Sequence, residues 1–219
     1  MALSKRLSFL ASLLKPYDSV LDLGTDHGLL LKEALSKGYI QKGLASDIKP
    51  LPLKAAQKNL AGMNVSFYLS DGFSQIKADF DCVVIAGMGA KLIAQILSGC
   101  TLDITYILNP MDDEDTLRWF LQNNGFKIID EYVLWDKFYY QIIIVRRGVM
   151  KLTKKELYLG RYLKKSSDYE NFLLHNIHNL KAIIQQIGQG QSLAAIEKLK
   201  ILKIYQDALN EVKNPAKID

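Results

Sequence analysis

The sequence has no apolar run long enough to cross a membrane, and it is poor in cysteine. Its 219 residues include only two cysteines, Cys82 and Cys100. A membrane-spanning helix needs about 18 or more consecutive apolar residues, and Lys5 and Arg6 precede only a short mixed run, unlike a secretory signal peptide. We therefore expect a cytoplasmic protein with no membrane partner. Cys82, inside an apolar run, is expected to be a core thiol, and a disulfide to Cys100 is the less favoured alternative.

Positive charge is scarce in the first two thirds of the chain and concentrated in the last third. Residues 1–145 contain 14 Lys+Arg against 16 Asp+Glu, whereas residues 146–219 contain 14 against 7. This asymmetry is typical of a protein that binds a polyanion such as a nucleic acid. A solvated basic helical surface without a partner would have the same composition, so that alternative stays open.

Strand-like and helical patterns alternate over the first 146 residues. Alternation of this kind predicts a parallel sheet with right-handed crossovers, which is an α/β fold. A closing antiparallel hairpin is predicted around Asp136-Lys137. The predicted strands are 19–24, 42–47, 65–69, 81–86 and 105–108, the predicted helices are 4–14, 29–36, 52–60, 90–97 and 112–123, and the hairpin strands are 128–135 and 139–146.

The remaining residues show helical periodicity only. We predict one helix over 153–165, a second over 168–187, a break at 188–191, and a third that begins at Ser192 and ends at Asn214-Pro215. Apolar residues at 4-3 spacing on the second and third helices predict a coiled-coil-like hairpin; they are Leu173, Ile177, Leu180, Ile184, Ile187, Ala195, Leu199 and Leu202. The predicted domains are 1–148, Rossmann-like, and 149–219, a basic helical hairpin.

The most informative segment runs from Asp22 through Gly24-Thr25-Asp26-His27 to Gly28. It follows a buried strand and leads into a helix, and Asp47 ends the next strand. Glycines let the backbone approach a nucleotide-like ligand, and a distant carboxylate binds the ribose hydroxyls. The turn lacks the middle glycine of dinucleotide enzymes, which argues against a pyrophosphate and disfavours an NAD-linked oxidoreductase. A cofactor with a ribose and no phosphate, S-adenosylmethionine, fits better.

Ligands of open parallel sheets bind beyond the carboxyl ends of the strands, so polar residues and glycines there are the candidates. We expect Asp47 to contact the ribose, Asp71 and Gly72 the adenine, and glycines beside Met88 the methionine part. The candidate cofactor-binding residues are Arg6, Gly24, Asp26, Gly28, Asp47, Ile48, Asp71, Gly72, Ala86, Gly87 and Met88.

Each candidate also has a purely structural explanation. Asp47 would serve equally as a helix cap, and Asp71-Gly72 as a simple turn. Small residues at Gly87 and Gly89 also suit tight packing between a strand and a helix. Arg6 would more often be solvated. Five such strand ends at one edge form a stronger signal than any one of them.

The candidate catalytic residues are Asp26, His27 and Asn109. His27 lies beside Asp26 in the glycine-flanked turn, although a lone histidine is more often a structural hydrogen-bonding group. Asn109-Pro110 would hold a flat base or form a strand-ending turn. His175 and His178 are three residues apart on a helix, but no third ligand accompanies them, so we expect no metal site.

These motifs resemble those of one enzyme family. The segment from Asp22 to Gly28, the run Ile85-Ala86-Gly87-Met88-Gly89, Asn109-Pro110, Leu117-Arg118 and the basic helical tail are similar to bacterial tRNA N1-adenine methyltransferases acting at position 22, the TrmK family. The resemblance implies a Rossmann-like sheet of order 3-2-1-4-5-7-6 and a C-terminal coiled-coil domain. It also implies S-adenosylmethionine as cofactor and tRNA as partner, with methylation at N1 of one adenine in the D-arm region; no oligomer is implied.

The methyl transfer implied by the resemblance needs little acid–base catalysis. The N1 of neutral adenine has a free lone pair, so catalysis is mainly alignment. Asp26 is expected to stabilise the positive charge that develops on the base, and His27 or Asn109 to hold the base edge. A methyltransferase acting on another substrate and a non-catalytic RNA-binding protein remain the competing hypotheses.

Overall fold

A computed structural model of the protein describes residues 3–187 and 192–214. One seven-stranded sheet organises them, with strand order β3-β2-β1-β4-β5-β7-β6. All neighbouring pairs are parallel except β5–β7 and β6–β7, because β7 runs against the rest. The strand order implied by the resemblance is confirmed. The strands are β1 Ser19–Leu23, β2 Lys42–Asp47, β3 Val65–Leu69, β4 Cys82–Met88, β5 Thr105–Pro110, β6 Phe126–Asp136 and β7 Phe138–Arg147.

Helices cover both faces of the sheet. They are α1 Lys5–Ser12, α2 Leu29–Ser36, α3 Pro50–Asn59, α4 Ala90–Leu97, α5 Glu114–Asn123, α6 Lys154–Leu159, α7 Tyr169–Ile187 and α8 Leu193–Lys213, with a 3-10 turn at Leu163–Lys165. Through α5 and the hairpin, each predicted element is present with ends within two residues of the prediction. The central strand β4 is buried on both sides from Cys82 to Ile85, as its unbroken apolar run requires.

Strand β4 continues past its predicted end because a bulge keeps it paired with β5. Met88 pairs with Pro110 after a register shift between Ala86 and Met88, and Gly87 occupies the bulge with a positive φ of 77°. Such a bulge bends the strand and exposes backbone at the carboxyl edge of the sheet. The sheet therefore presents Gly87 to the space where the ends of β1 and β2 also lie.

The single helix predicted over 153–165 is wrong. Helix α6 stops at Leu159, Gly160 has φ 67° and ψ 158°, and a separate 3-10 turn follows. A capping box between Thr153 and Glu156 starts α6. Gly160 turns the chain back toward the sheet and ends the helix early.

Helices α7 and α8 pack against each other. Together with Val133 of β6 and Leu163 they form a hydrophobic core of their own. The predicted seam holds at Leu173, Ile177 and Leu180, which are buried. Ala195 and Leu202 on α8 are buried as well. The prediction is wrong at Ile187 and Leu199, which are exposed. Tyr205 of α8, which the 4-3 pattern did not include, is buried in this core. The predicted break at 188–191 and Pro215 lie outside the described residues.

A buried polar network joins the helical region to the sheet. Arg118 is fully buried and donates hydrogen bonds to Glu131 Oε1 (2.7 Å), Gln141 Oε1 (2.6 Å) and the Leu157 carbonyl (3.0 Å). The backbone N–H groups of Arg161 and Tyr162 donate to Glu131 Oε2. Because a buried ion pair needs its remaining lone pairs satisfied, α6 and the chain after Gly160 complete this network. The proposed boundary after residue 148 stays a prediction.

Both cysteines are free thiols, and Cys82 is buried as predicted. Within residues 3–187 and 192–214, no helix is both long and apolar enough to cross a membrane.

Candidate active site

Two adjoining cavities lie at the carboxyl edge of the sheet. The Arg6 cavity, of about 350 Å³, is lined by Arg6, Asp22, Asp26 and His27 among others. The Asp47 cavity, of about 360 Å³, continues from it toward the ends of β2 and β3. The two share Gly24, Asp26, Ala86 and Gly87, so together they form one cleft, which we call the rim cleft. The Asp47 cavity is also lined by Asp47, Ile48, Asp71, Gly72 and Met88.

The glycine-flanked turn after β1 forms the floor of this cleft. Gly24, Asp26 and Gly28 all have positive φ, between 51° and 77°. A Cβ on Gly28 would lie 2.6 Å from Leu60 Cδ1 and 3.2 Å from Ala56 Cβ, so glycine is required where α2 meets α3. Asp26 is a residue type that tolerates this backbone conformation, because its short side chain bonds locally. Gly28 therefore shapes the turn and does not line either cavity.

Asp47 is buried at the end of β2 and organises the surrounding backbone. Its Oδ2 accepts from the Asp26 N–H at 3.2 Å and its Oδ1 from the Lys49 N–H at 2.9 Å. The second bond forms a turn just before α3, whose N-cap is Lys49 and has no side-chain capping bond, so Asp47 does not cap that helix. A carboxylate offers about four acceptor positions, which leaves capacity for ligand hydroxyls.

The neighbouring Ser46 adds an unusual feature to the Asp47 cavity. Its Oγ is buried and has no hydrogen-bond partner within the part of the chain that the structure describes. Buried polar atoms almost always have a partner. An unsatisfied hydroxyl in the wall of a cavity is what a site awaiting a polar ligand would show.

The turn after β3 presents Asp71 and Gly72 to the same cavity. Ser70 holds this turn, since its Oγ donates to the Gly72 carbonyl at 3.0 Å and accepts from the Gln75 N–H at 3.1 Å. Asp71 is exposed at the cleft, so its carboxylate is available to a ligand.

Asp22 is a site residue that the sequence argument missed. It is nearly fully buried in β1, lines the Arg6 cavity, and accepts a 2.8 Å hydrogen bond from Thr25 Oγ1. Burial raises the pKa of its carboxyl to about 6, and the negative charges of Asp47 and Asp26 add to this, while the Thr25 bond opposes it. The available signal was an acidic residue inside the otherwise apolar strand Ser19–Leu23.

Arg6 on α1 extends its side chain into the cleft, and Asn109 and Tyr140 fix the position of its guanidinium group. Its Nη1 donates to Asn109 Oδ1 at 2.8 Å, and its guanidinium lies 5.1 Å from the centre of the Tyr140 ring. Asn109 itself is fully buried, and its Nδ2 donates to the Gln141 carbonyl at 2.8 Å. Asn109 lines neither cavity, so its contact with a base stays a prediction that would require these bonds to be exchanged.

Asp26 and His27 lie together at the mouth of the cleft. Both side chains are more than half exposed, and His27 Nε2 is 3.7 Å from Asp26 Oδ1. The structure thus brings these two candidate catalytic residues together and separates them from Asn109. In the described ranges, no group of three or more His, Cys, Asp or Glu side chains is placed to hold a metal ion. His175 contacts Asn179 on α7 instead, at 3.0 Å.

A doubly wound sheet of this strand order, with a cleft at its carboxyl edge, is the architecture of Rossmann-like methyltransferases. The model of one family, tRNA (adenine(22)-N(1))-methyltransferase, matches residues 20–209. The chain belongs to this family, TrmK.

Individual relatives match this chain over all or nearly all of their own length. The chain is 27% identical to the tRNA (adenine(22)-N(1))-methyltransferase of Bacillus subtilis, with 96% of each chain covered. It is similar to Streptococcus pneumoniae Sp1610 in complex with S-adenosyl-L-methionine (TM-score 0.83, 26% identity, 95% of this chain and 100% of that one). It is also similar to M. capricolum TrmK in complex with S-adenosyl-homocysteine (TM-score 0.81, 25% identity, 97% and 100% covered).

Proposed function

We propose that this protein is an S-adenosylmethionine-dependent methyltransferase that modifies N1 of adenine 22 in tRNA. The observation that carries the proposal is the rim cleft, whose two cavities meet at Gly24 and Gly87 in a chain that the family model matches over residues 20–209. A tRNA substrate implies that the protein works in the cytoplasm.

The residues of the cleft fit the cofactor along its length. Asp47 would accept from the ribose hydroxyls, Ser46 offers its unpartnered hydroxyl nearby, and Asp71 would face the adenine end. The amino acid end of the cofactor has one ammonium and one carboxylate group, and the Arg6 cavity supplies Asp22 and Arg6 as opposite charges. When bound, S-adenosylmethionine supplies an electrophilic methyl group.

The protein then has two tasks at the base. The first is alignment, because N1 attacks only when its lone pair points at the methyl group. The second is charge: methylation makes the base positive, and the exposed carboxylate of Asp26 at the mouth of the cleft would stabilise that charge as it develops. His27, 3.7 Å from Asp26, is placed to contact the base edge. The basic helices would contact tRNA phosphates.

The decisive experiment combines tRNA transcripts with the purified protein and cofactor. Mass spectrometry of the nucleosides should detect 1-methyladenosine in a transcript with adenine at position 22 and none when that position is guanine. Methylation of both transcripts at another site would exclude the proposed position, and no methylation of either would exclude the activity.

The role of Asp26 is tested by Asp26→Asn, which keeps a side chain that tolerates positive φ. We expect kcat to fall by about 10²-fold. Because Asp26 lines both cavities of the cleft, the Kd of S-adenosylmethionine is measured in parallel. The matched control is Asp113→Asn, because Asp113 is also exposed and also has a positive φ, 44°, but lies outside the rim cleft. An unchanged kcat in Asp26→Asn would remove this carboxylate from the mechanism.

A further inference from the structure

A third cavity, of about 600 Å³, lies between the tip of the β6–β7 hairpin, the end of β5 and helix α7. We call it the aromatic pocket, because aromatic side chains supply much of its wall. They are Trp135, Phe138, Tyr139, Tyr140 and Phe172, with His175 beside them. Its volume is within the range of small-ligand sites, about 300–1,000 Å³.

The rings of the aromatic pocket divide into a fixed inner set and an open outer set. Tyr139 is the centre of the inner set, with its ring 5.8 Å from Phe172 and 5.1 Å from His175. Trp135 packs on Tyr139 at 4.7 Å and is still 44% exposed, and Phe138 is 67% exposed. Single exposed apolar residues are ordinary, but two exposed rings that line one cavity mark a binding surface.

The aromatic pocket adjoins the rim cleft without opening into it. The two share no lining residue, but they are in contact. Arg6, which lines the rim cleft, lies 5.1 Å from the ring of Tyr140, and Met88 of the rim cleft pairs with Pro110 of the aromatic pocket. A base seated in the aromatic pocket is therefore separated from the methyl-transfer position by the Arg6–Tyr140 pair. It would be a neighbour of the methylated base.

The chemistry of the walls selects among possible occupants. Flat aromatic faces favour a flat ring, since every nucleobase has a π-face on which aromatic side chains stack. The carboxyl of Glu114 lines the same cavity and would repel a phosphate, whereas the polar side chains of His175 and Asn176 can bond to a base edge. Lys137 lies at the hairpin tip, where a backbone phosphate outside the cavity could reach it.

We propose that the aromatic pocket binds an unpaired nucleobase of the tRNA substrate, next to the target adenine, by stacking on Trp135 and Phe138. This inference rests on the proposed function. N1 is on the pairing edge of adenine, so the target must leave its base pair before it reacts, and its neighbours lose stacking partners. The exposed rings provide a replacement surface for one of them.

The test uses the two tryptophans of the chain, Trp119 and Trp135. In a Trp119→Phe protein, Trp135 is the only tryptophan, and its fluorescence should be quenched saturably when tRNA is added without cofactor. The matched control is Trp135→Phe, which leaves Trp119, 58% exposed on α5 and outside the pocket. We expect no quenching there. Equal quenching of both, or of neither at RNA concentrations that saturate binding, would overturn the proposal.

Steady-state kinetics of Phe138 variants distinguish a neighbouring base from the target adenine. We expect Phe138→Leu to raise KM for tRNA about tenfold, as loss of one stacked base does, with kcat within twofold of the parent and Phe138→Tyr restoring KM. A loss of kcat at saturating tRNA would mean that the pocket holds the target adenine, which overturns the assignment to a neighbour. Selective quenching of Trp135 without any 1-methyladenosine would support the pocket while contradicting the proposed reaction, so the two failures are distinguishable.

Discussion

Asp22 shows how one buried carboxylate can report on the cofactor. Its pKa is raised to about 6 chiefly because burial disfavours the charged form, and no cation in the described structure is within ion-pair distance of it. A ligand ammonium in the Arg6 cavity would favour the ionised form and lower that pKa. Ligand binding and deprotonation of Asp22 are then linked.

The first consequence is a pH-dependent affinity. Below pH 6 the free protein has a neutral Asp22, so binding of an ammonium must first release a proton. We expect the Kd of S-adenosylhomocysteine to be nearly constant from pH 7 to 8 and to rise below pH 6 by up to about tenfold per pH unit. Isothermal titration calorimetry in buffers of different ionisation enthalpy would measure both Kd and the proton released.

Two controls isolate Asp22. In Asp22→Asn the affinity at pH 7.5 should be lower by about tenfold or more, and its pH dependence should disappear. Methylthioadenosine, which lacks the amino acid end, should bind the parent protein with little dependence on pH. A flat profile for S-adenosylhomocysteine in the parent protein would contradict this account.

Among individual residues, those at strand ends were the most predictable from the sequence. Asp47, Asp71 and Gly87 were expected to lie together because the carboxyl ends of parallel strands meet at one edge of the sheet. All three line the Asp47 cavity. This pattern could not show that Asn109 faces inward, because that depends on the antiparallel partner β7, whose Gln141 carbonyl binds the Asn109 amide. It also passed over Asp22, since a single acid in a strand does not disclose its burial.

At the scale of elements, Gly160 decides how the chain leaves α6. Its φ of 67° with ψ of 158° belongs to a region that only glycine occupies readily. A Cβ there would lie 2.7 Å from Leu163 Cγ and 3.0 Å from Arg118 Nη2. Periodicity alone cannot find such a break, because the residues on both sides of Gly160 have good helical patterns.

Replacing this glycine should therefore cost stability. We expect Gly160→Ala to lower the free energy of unfolding by about 2 kcal/mol or more, from backbone strain and from displacement of Leu163 and Arg118. The matched control is Gly38→Ala, at φ 65° with no atom within 4 Å of the added Cβ, where only about 1 kcal/mol is expected from the backbone. Urea denaturation of the three proteins measures the difference, and equal losses would refute the steric argument.

At the scale of the whole molecule, the charge asymmetry gives the helical region its expected role. Several of its lysines form ion pairs within the region, such as Lys155 with Glu211 and Lys213 with Glu170. Lys200 and Lys203 on α8 are exposed. Binding of RNA by such residues releases counterions and so depends steeply on salt.

The double variant Lys200→Gln/Lys203→Gln tests this role. We expect weaker tRNA binding at low salt and a slope of log Kd against log salt that is smaller by about 1 for each lysine that contacts a phosphate. With saturating tRNA, kcat should be unchanged. The comparison is Lys32→Gln/Lys58→Gln on α2 and α3, which removes the same charge from exposed positions near the sheet. Identical slopes in both double variants would contradict a specific role for α8.

The α/β class was predictable from the alternation of strands and helices and from the closing hairpin, whereas the strand order was implied only by the resemblance to the TrmK family. The contacts between the sheet and the C-terminal helices were not predictable from the sequence. Tyr205 and Val133 meet in one core although they are far apart in the chain, and the exposed Leu199 shows that the 4-3 pattern alone misassigns a seam. Packing against β6, which no local pattern encodes, decides which helical face is buried.

The Arg118 network limits how this enzyme can be cut or recombined. Glu131 relies on N–H groups from Arg161 and Tyr162, and Arg118 relies on the carbonyl of Leu157. A truncated sheet lacking everything after residue 148 would keep the ion pair and lose these partners. Ser166 Oγ and Asp168 Oδ2 also accept from the Val133 and Trp135 N–H groups of β6. Any chimera that exchanges the basic tail for a foreign RNA-binding module must therefore retain the chain at least through Asp168.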